Sequence, residues 1–286
     1  MSRPAKNFVG EKSGLTLKGE GYMTTIATIN VGVSSHYRKD SYNSEMTTQG
    51  VLGEEVEVID HQPLFSRIVQ SDGYKSWMST DQLSFLVQKT VEKTLVTAHF
   101  VDIYEGPSII SKRLRDGVIG CKLAIVDEQN NWYQILLPDN SRGWVAQNVT
   151  GSLKGFTATN LIQQARDFLG YQYTWGGTTP KGFDCSGLIQ TVFTLCSCPL
   201  PRDSHEQQQQ NLVSNDYQDA RPGDLLFFGK TKDRATHVAL SIGDNRFIHA
   251  SGWVKENSLN PKDSDFSQHH VNTFISINRY LPGYIS

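Results

Sequence analysis

Shifted by 67 residues, the first half of the chain falls on itself. QGVLGEEVEVIDHQ lands on DGVIGCKLAIVDEQ without a gap, and Phe65, Ile68, Asp72 and Trp77 land on Trp132, Ile135, Asp139 and Trp144. Gly53 meets Gly120, and each copy closes on Trp followed by an apolar residue. Short β-type runs (VEVID, SRIVQ, KLAIV, YQILL) broken by Gly, Asp, Asn and Pro fill the stretch from about 24 to 150. No helical pattern of useful length occurs there. Self-similarity at one offset means two small β-barrels rather than one large sheet. The disagreements between copies are informative, because a residue present in only one cannot be explained by the barrel alone. Glu45 falls opposite Lys112 and Tyr74 opposite Ser141. Glu45 and Tyr74 are therefore candidate ligand contacts, with surface drift as the alternative.

From about residue 157 the pattern changes. TNLIQQARDFLG puts Leu161, Ile162, Ala165, Phe168 and Leu169 on one helical face and stops at Gly170. A second helix follows FDCSG, with Leu188, Ile189, Val192, Phe193 and Leu195 at helical spacing. After RPGDLLFF come the β-runs HVALSI and RFIHAS, joined by Gly243-Asp244-Asn245, and a last run, NTFISINRY. Two helices and then several strands make this half α+β.

Cys185 stands where the second helix begins. A thiol at a helix N-terminus meets unpaired N–H groups and the positive end of the dipole, both of which favour the nucleophilic thiolate and lower its pKa. The alternative is a buried structural cysteine. A nucleophile needs a base, and the base an orienting partner; His237 and His249 lie on successive strands. If the hairpin loop is the three residues Gly243 to Asn245, Ala239 lies opposite His249 and both histidines share a face as diagonal neighbours. A two-residue loop would send them to opposite faces. Upstream, in YQYTWGGTTPKGFDCSG, Tyr173 is a candidate donor to a developing oxyanion beside the Cys185 N–H, with packing against the core as the alternative. Trp175 reads as a core residue.

Charge narrows the partners. Lys and Arg number 27 against 29 Asp and Glu, a net −2, which gives no basic footprint for nucleic acid. No apolar run reaches the roughly 18–20 residues of a membrane span, and MSRPAKNFVGEKSG lacks the apolar core of a secretory signal, so a cytoplasmic setting is expected. The four cysteines, at 121, 185, 196 and 198, fit neither a disulfide framework nor a metal site; no cofactor is expected.

Together these segments resemble the NlpC-type cell-wall cysteine peptidases. The resemblance rests on Tyr173-x-Trp175-Gly176-Gly177, Phe183-Asp184-Cys185-Ser186-Gly187, Arg202-x-Ser204, Pro222-Gly223-Asp224-Leu225, His237-Val238 and His249-Ala250, in the family's order across about 157–286. It implies a papain-like α+β catalytic domain preceded by two bacterial SH3-like barrels: leader 1–22, first barrel 23–88, second 89–152, peptidase 153–286. It further implies Cys185 as nucleophile, His237 as base, His249 as orienting partner and Tyr173 at the oxyanion. In the branch with paired SH3-like domains, a γ-D-glutamyl-L-diamino-acid endopeptidase acts on murein peptides with a free N-terminal L-alanine. Glu45 and Tyr74 would then bind the substrate amine, and Asp184, Ser186, Asp203 and Ser204 would line the γ-D-glutamyl subsites. Two departures stand out: Ser76 where the family usually has Gly, and the cysteine pair in TLCSCPLP. The expected role is recycling of murein peptides. The rivals are an enzyme acting on intact wall, a non-catalytic wall-binding protein, and an acyltransferase or thioesterase on the same core.

Overall fold

The computed structural model describes residues 15–16, 24–86 and 92–281. Of the expected leader, 1–14 and 17–22 lie outside the described residues, while Leu15–Thr16 pairs antiparallel with Thr24 and Thr25.

The 67-residue offset holds element by element. Strands Val33–Tyr37, Met46–Val51, Glu55–His61, Phe65–Val69 and Lys75–Ser79 recur as Phe100–Tyr104, Arg113–Val118, Lys122–Gln129, Trp132–Leu136 and Arg142–Ala146. The strand order is the same in both sheets, and each copy ends in a 3-10 turn, Thr80–Gln82 and Gln147–Val149. Gly53 and Gly120 both have positive φ, 83° and 92°. At Gly53 a side chain is excluded twice over, because a Cβ would sit 1.9 Å from the Lys122 carbonyl oxygen of the second barrel. The barrels abut there, with the Lys122 N–H donating to the Leu52 carbonyl at 3.1 Å.

The third unit is a six-stranded antiparallel sheet in the order Leu212–Ser214, Phe274–Asn278, Leu225–Phe228, His237–Gly243, Arg246–Ser251, Trp253–Ser258. Helices α1 (Ala158–Arg166) and α2 (Cys185–Leu195) cover one face. Leu161, Phe168, Leu188, Val192 and Phe193 from this side pack with Val238, Leu240, Ile248 and Ala250 of the sheet. Helix α2 is apolar nearly all round because it is buried nearly all round; truncating Leu188 to Ala would cost about 2–5 kcal/mol. The opposite sheet face carries Leu226, Phe228, Ala239, Phe247 and Ile277.

Both barrels touch this unit. Ile119 of the second joins its core, His99 Nδ1 and the Tyr171 hydroxyl lie 2.8 Å apart, and Lys181 pairs with Asp116 at 2.7 Å. The first barrel holds it at the residues before α2. Gln49 Oε1 accepts from Thr178 N–H and from the Thr179 hydroxyl, each at 3.0 Å. Gly176, at φ 75°, lets the chain pass so close to Met46 that a Cβ would lie 2.6 Å from its carbonyl oxygen.

Candidate active site

Cys185 is the first residue of α2, whose cap is Asp184. The Asp184 carboxylate accepts from Gly187 N–H at 2.7 Å and from Gly176 N–H at 2.9 Å. Arg202, 2% exposed, forks both guanidinium nitrogens onto the same carboxylate and also donates to Ser186 Oγ at 2.9 Å and Thr48 Oγ1 at 3.1 Å. A buried arginine paired in this bidentate way fixes the helix start to the first barrel as well. The Cys185 N–H, being the first of a helix, has no intrahelical acceptor, and the residue lines the cleft.

The histidines come from the hairpin, and its turn is not the one expected. Asp244 and Asn245, both at positive φ (51° and 58°), form a two-residue loop, with Gly243 paired to Arg246. By itself that loop would put the histidines on opposite faces. A bulge between Ser241 and Gly243 absorbs one residue, so that Ser241 pairs with Phe247 and Leu240 with Ile248. The register below the bulge is the one a three-residue loop would give. His237 Nε2 and His249 Nδ1 accordingly lie 2.8 Å apart.

Hydrogen bonding assigns the protons along this line. Asn257 Nδ2 donates to the Asp265 carbonyl at 2.8 Å, which turns Oδ1 towards His249 Nε2 at 3.0 Å. His249 therefore carries its proton on Nε2 and accepts at Nδ1 from His237 Nε2–H. The lone pair of His237 is thereby left on Nδ1, the atom that can take a proton.

The thiol is a correction to expectation. Burial, with the Asp184 carboxylate beside it, pushes Cys185 up to about 12, despite the Val238 and Ser186 N–H groups that approach the sulfur. Burial and the His249 and His270 imidazoles push His237 well below its ordinary value, and burial takes His249 to about 4. Both shifts favour an uncharged thiol and an uncharged imidazole in the substrate-free cleft.

The cleft in front of Cys185 has a volume of about 280 Å³. Glu45, Tyr74, Tyr173, Asp184, Ser186, Asp203, Ser204 and His237 all line it with Cys185; His249, fully buried, stands behind His237. Within that lining the Asp184 carboxylate is taken up by Arg202 and backbone amides, and Ser204 Oγ donates to the Ala235 carbonyl at 3.3 Å. Tyr173, its hydroxyl pushed upward by burial and the neighbouring Cys185, stays a donor. Trp175 is not a core residue: it is 62% exposed in the cleft wall and donates from Nε1 to Glu45 Oε1 at 2.9 Å. Arg38 pairs with the other Glu45 oxygen at 2.8 Å.

Comparison with known proteins fits this geometry. The sequence profile described as NlpC/P60 family matches residues 170–275, and the one described as bacterial SH3 domain matches 99–150. The gamma-D-glutamyl-L-lysine dipeptidyl-peptidase of Bacillus subtilis (strain 168) is 30% identical over 219 residues, 71% of either chain. The chain belongs to the NlpC/P60 family. The Bacillus cereus (strain ATCC 10987) protein of the same name is 29% identical over 84% of this chain and 76% of its own length. A crystal structure of an NlpC/P60 family protein from that strain superposes with a TM-score of 0.77 at 25% identity, covering 90% of this chain and all of its own.

The site of this NlpC/P60 cysteine peptidase also contains residues that sequence reasoning passed over. Asn257 needs the strand register to be seen. His270, from Gln268–Thr273, packs its ring 4.8 Å from that of His249 and 5.4 Å from that of His237, across a loop of no clear pattern. Trp175 and Arg202 lay inside quoted motifs, but their partners, Glu45 and Thr48, are more than 100 residues away.

Proposed function

We propose that the protein hydrolyses the γ-D-glutamyl–L-diamino-acid bond of murein peptides that carry a free N-terminal L-alanine. The observation behind this reading is the cleft itself, lined both by the thiol and His237 and by Glu45 and Tyr74 of the first barrel. A carboxylate there favours an ammonium group and disfavours an acetylated or sugar-linked nitrogen. The names of the two Bacillus relatives point to the same bond class.

In the reaction, the sulfur attacks the γ-carbonyl carbon of D-glutamate while its proton passes to His237 Nδ1. The oxyanion is met by the Cys185 N–H and the Tyr173 hydroxyl. Collapse expels the α-amine of the diamino acid, which takes the proton from His237, and leaves a thioester. Water, deprotonated by His237, then attacks the thioester and returns the thiol. His249, held by Asn257, stabilises the imidazolium at both stages. Free-amine peptides of this kind arise after wall fragments have lost their sugars, which suits recycling in the cytoplasm.

The test is mass spectrometry of the purified protein with L-Ala-γ-D-Glu-diaminopimelate and with its N-acetylated form. Release of L-Ala-D-Glu from the free peptide alone, abolished by Cys185→Ala, is expected. Equal cleavage of both peptides would remove the amine-binding role of Glu45 and Tyr74 while leaving a peptidase.

A further inference from the structure

The cleft holds more charge than the acyl half of such a substrate uses. Glu45 is paired with Arg38, and Asp184 with Arg202. Arg234 also lines the cleft, is exposed, and takes no carboxylate partner among the described residues. It stands three residues before His237, next to Ala235 and Thr236, which line the same wall.

Its backbone is held firmly. Gln208 spans it: Oε1 accepts from Ala235 N–H at 2.7 Å while Nε2 donates to the Lys232 carbonyl at 3.0 Å. Ser204 Oγ reaches the Ala235 carbonyl, and Thr236 N–H donates to the Phe228 carbonyl at 2.9 Å. A cation carried on a segment so anchored, with its own charge unspent, is placed to take an anion from outside.

Where that anion sits follows from the chemistry. His237 must hand its proton to the leaving nitrogen, so the leaving group lies against His237 and the residues just before it. The N-terminal half of the substrate lies the other way, towards Glu45 and Tyr74. We infer that Arg234 binds a carboxylate on the diamino-acid side of the scissile bond, making it a specificity determinant for the leaving group. This rests on the peptidase reading above. Two carboxylates have the required chemistry: the C-terminal α-carboxylate of a tripeptide, and the side-chain carboxylate that diaminopimelate has and lysine lacks.

Four peptides separate these sources: L-Ala-γ-D-Glu-diaminopimelate and L-Ala-γ-D-Glu-L-Lys, each as the C-terminal acid and the C-terminal amide. Rates are compared for the unmodified protein, Arg234→Gln, and Lys232→Gln as a control for general charge. Arg234→Gln is expected to lower kcat/KM by about 10- to 100-fold on peptides bearing the carboxylate it binds, and by less than about threefold on the lysine amide, which has neither. A loss that vanishes on amidation assigns the α-carboxylate; one that vanishes with lysine assigns the side-chain carboxylate. Equal loss on all four, no loss on any, or the same pattern from Lys232→Gln overturns the inference. If the unmodified protein cleaves none of the four, the peptidase reading itself fails, and this inference with it.

Discussion

The two barrels share strands, turns, order and an apolar core, yet four matched interior positions differ in kind. In the second, Val101, Ile103, Cys121 and Leu137 form part of an apolar core. The corresponding residues of the first are Ser34, His36, Glu54 and Gln70, and they form a hydrogen-bonded network. His36 Nε2 lies 2.8 Å from Ser34 Oγ, and Nδ1 lies 3.2 Å from Gln70 Oε1 and 3.3 Å from Ser76 Oγ. Gln70 Nε2 donates to Glu54 Oε1 and to the Gln49 carbonyl, and the Gln49 side chain reaches out to Thr178 and Thr179. A barrel of this size does not need such a network, as its twin demonstrates. The polar version belongs to the copy that forms a wall of the cleft and has to hold a fixed position against the peptidase unit. The same contrast runs along the outer hairpin, where Arg38 and Glu45 are replaced by Glu105 and Lys112 with the charges exchanged.

Giving one barrel the other's residues is the sharpest way to break this comparison. Glu45→Lys, the second barrel's residue, should cost about 100-fold or more in kcat/KM on a free-amine peptide, while Lys112→Glu changes it by less than about twofold. Similar losses from both would show that the copies are not specialised.

Acid stability should also distinguish them. Burial lowers His36 to about 4, so the folded barrel stays unprotonated there while an unfolded chain binds a proton near 6.5. Between those values the unfolded state holds more protons, and stability falls as pH drops, by up to about 3 kcal/mol from this residue. His36→Ile should flatten the denaturation-midpoint profile over pH 6.5 to 4, leaving the slope from the similarly lowered His249 and His270. Glu54, which burial pushes upward, acts in the opposite sense above its ordinary value of 4.5. An unchanged profile would remove His36 as the source.

Gln49→Ala should cost about 1–3 kcal/mol, since it leaves the buried Thr179 hydroxyl and the Thr178 N–H without their acceptor. It should also lower activity through a displaced Gly176–Thr179 segment. The matching cut in the second barrel, Asp116→Ala, breaks an exposed pair with Lys181 and should cost at most about 1 kcal/mol, read by urea denaturation. Comparable costs would mean that both barrels are held in the same manner.

Much of this was legible in the sequence because it depends on repetition and local order. The offset singled out Glu45 and Tyr74, and the start of α2 located Cys185. The same offset carried inward to positions 34, 36, 54 and 70 would have exposed the polar network, since apolar-to-polar changes at matched core positions need no structure to be seen. Other features depend on long-range contact. Trp175 is kept from the core by Glu45, 130 residues away. The thiol's acidity follows from how deeply α2 is sunk, which helix position alone does not reveal. The bulge before Gly243 leaves no mark that separates a two-residue loop from a three-residue one.

That bulge also shapes how the gene can change. A one-residue change between Ser241 and Arg246 is taken up by the bulge or the loop: losing the codon for Ile242 would leave Ser241 opposite Phe247 and the two histidines still on one face. Losing a codon inside the paired stretch, that of Leu240 for example, would turn His237 away from His249. A descendant of that kind would lose the chemistry with every catalytic residue still in its sequence. The hairpin can therefore drift in length at its tip but not along its paired strands.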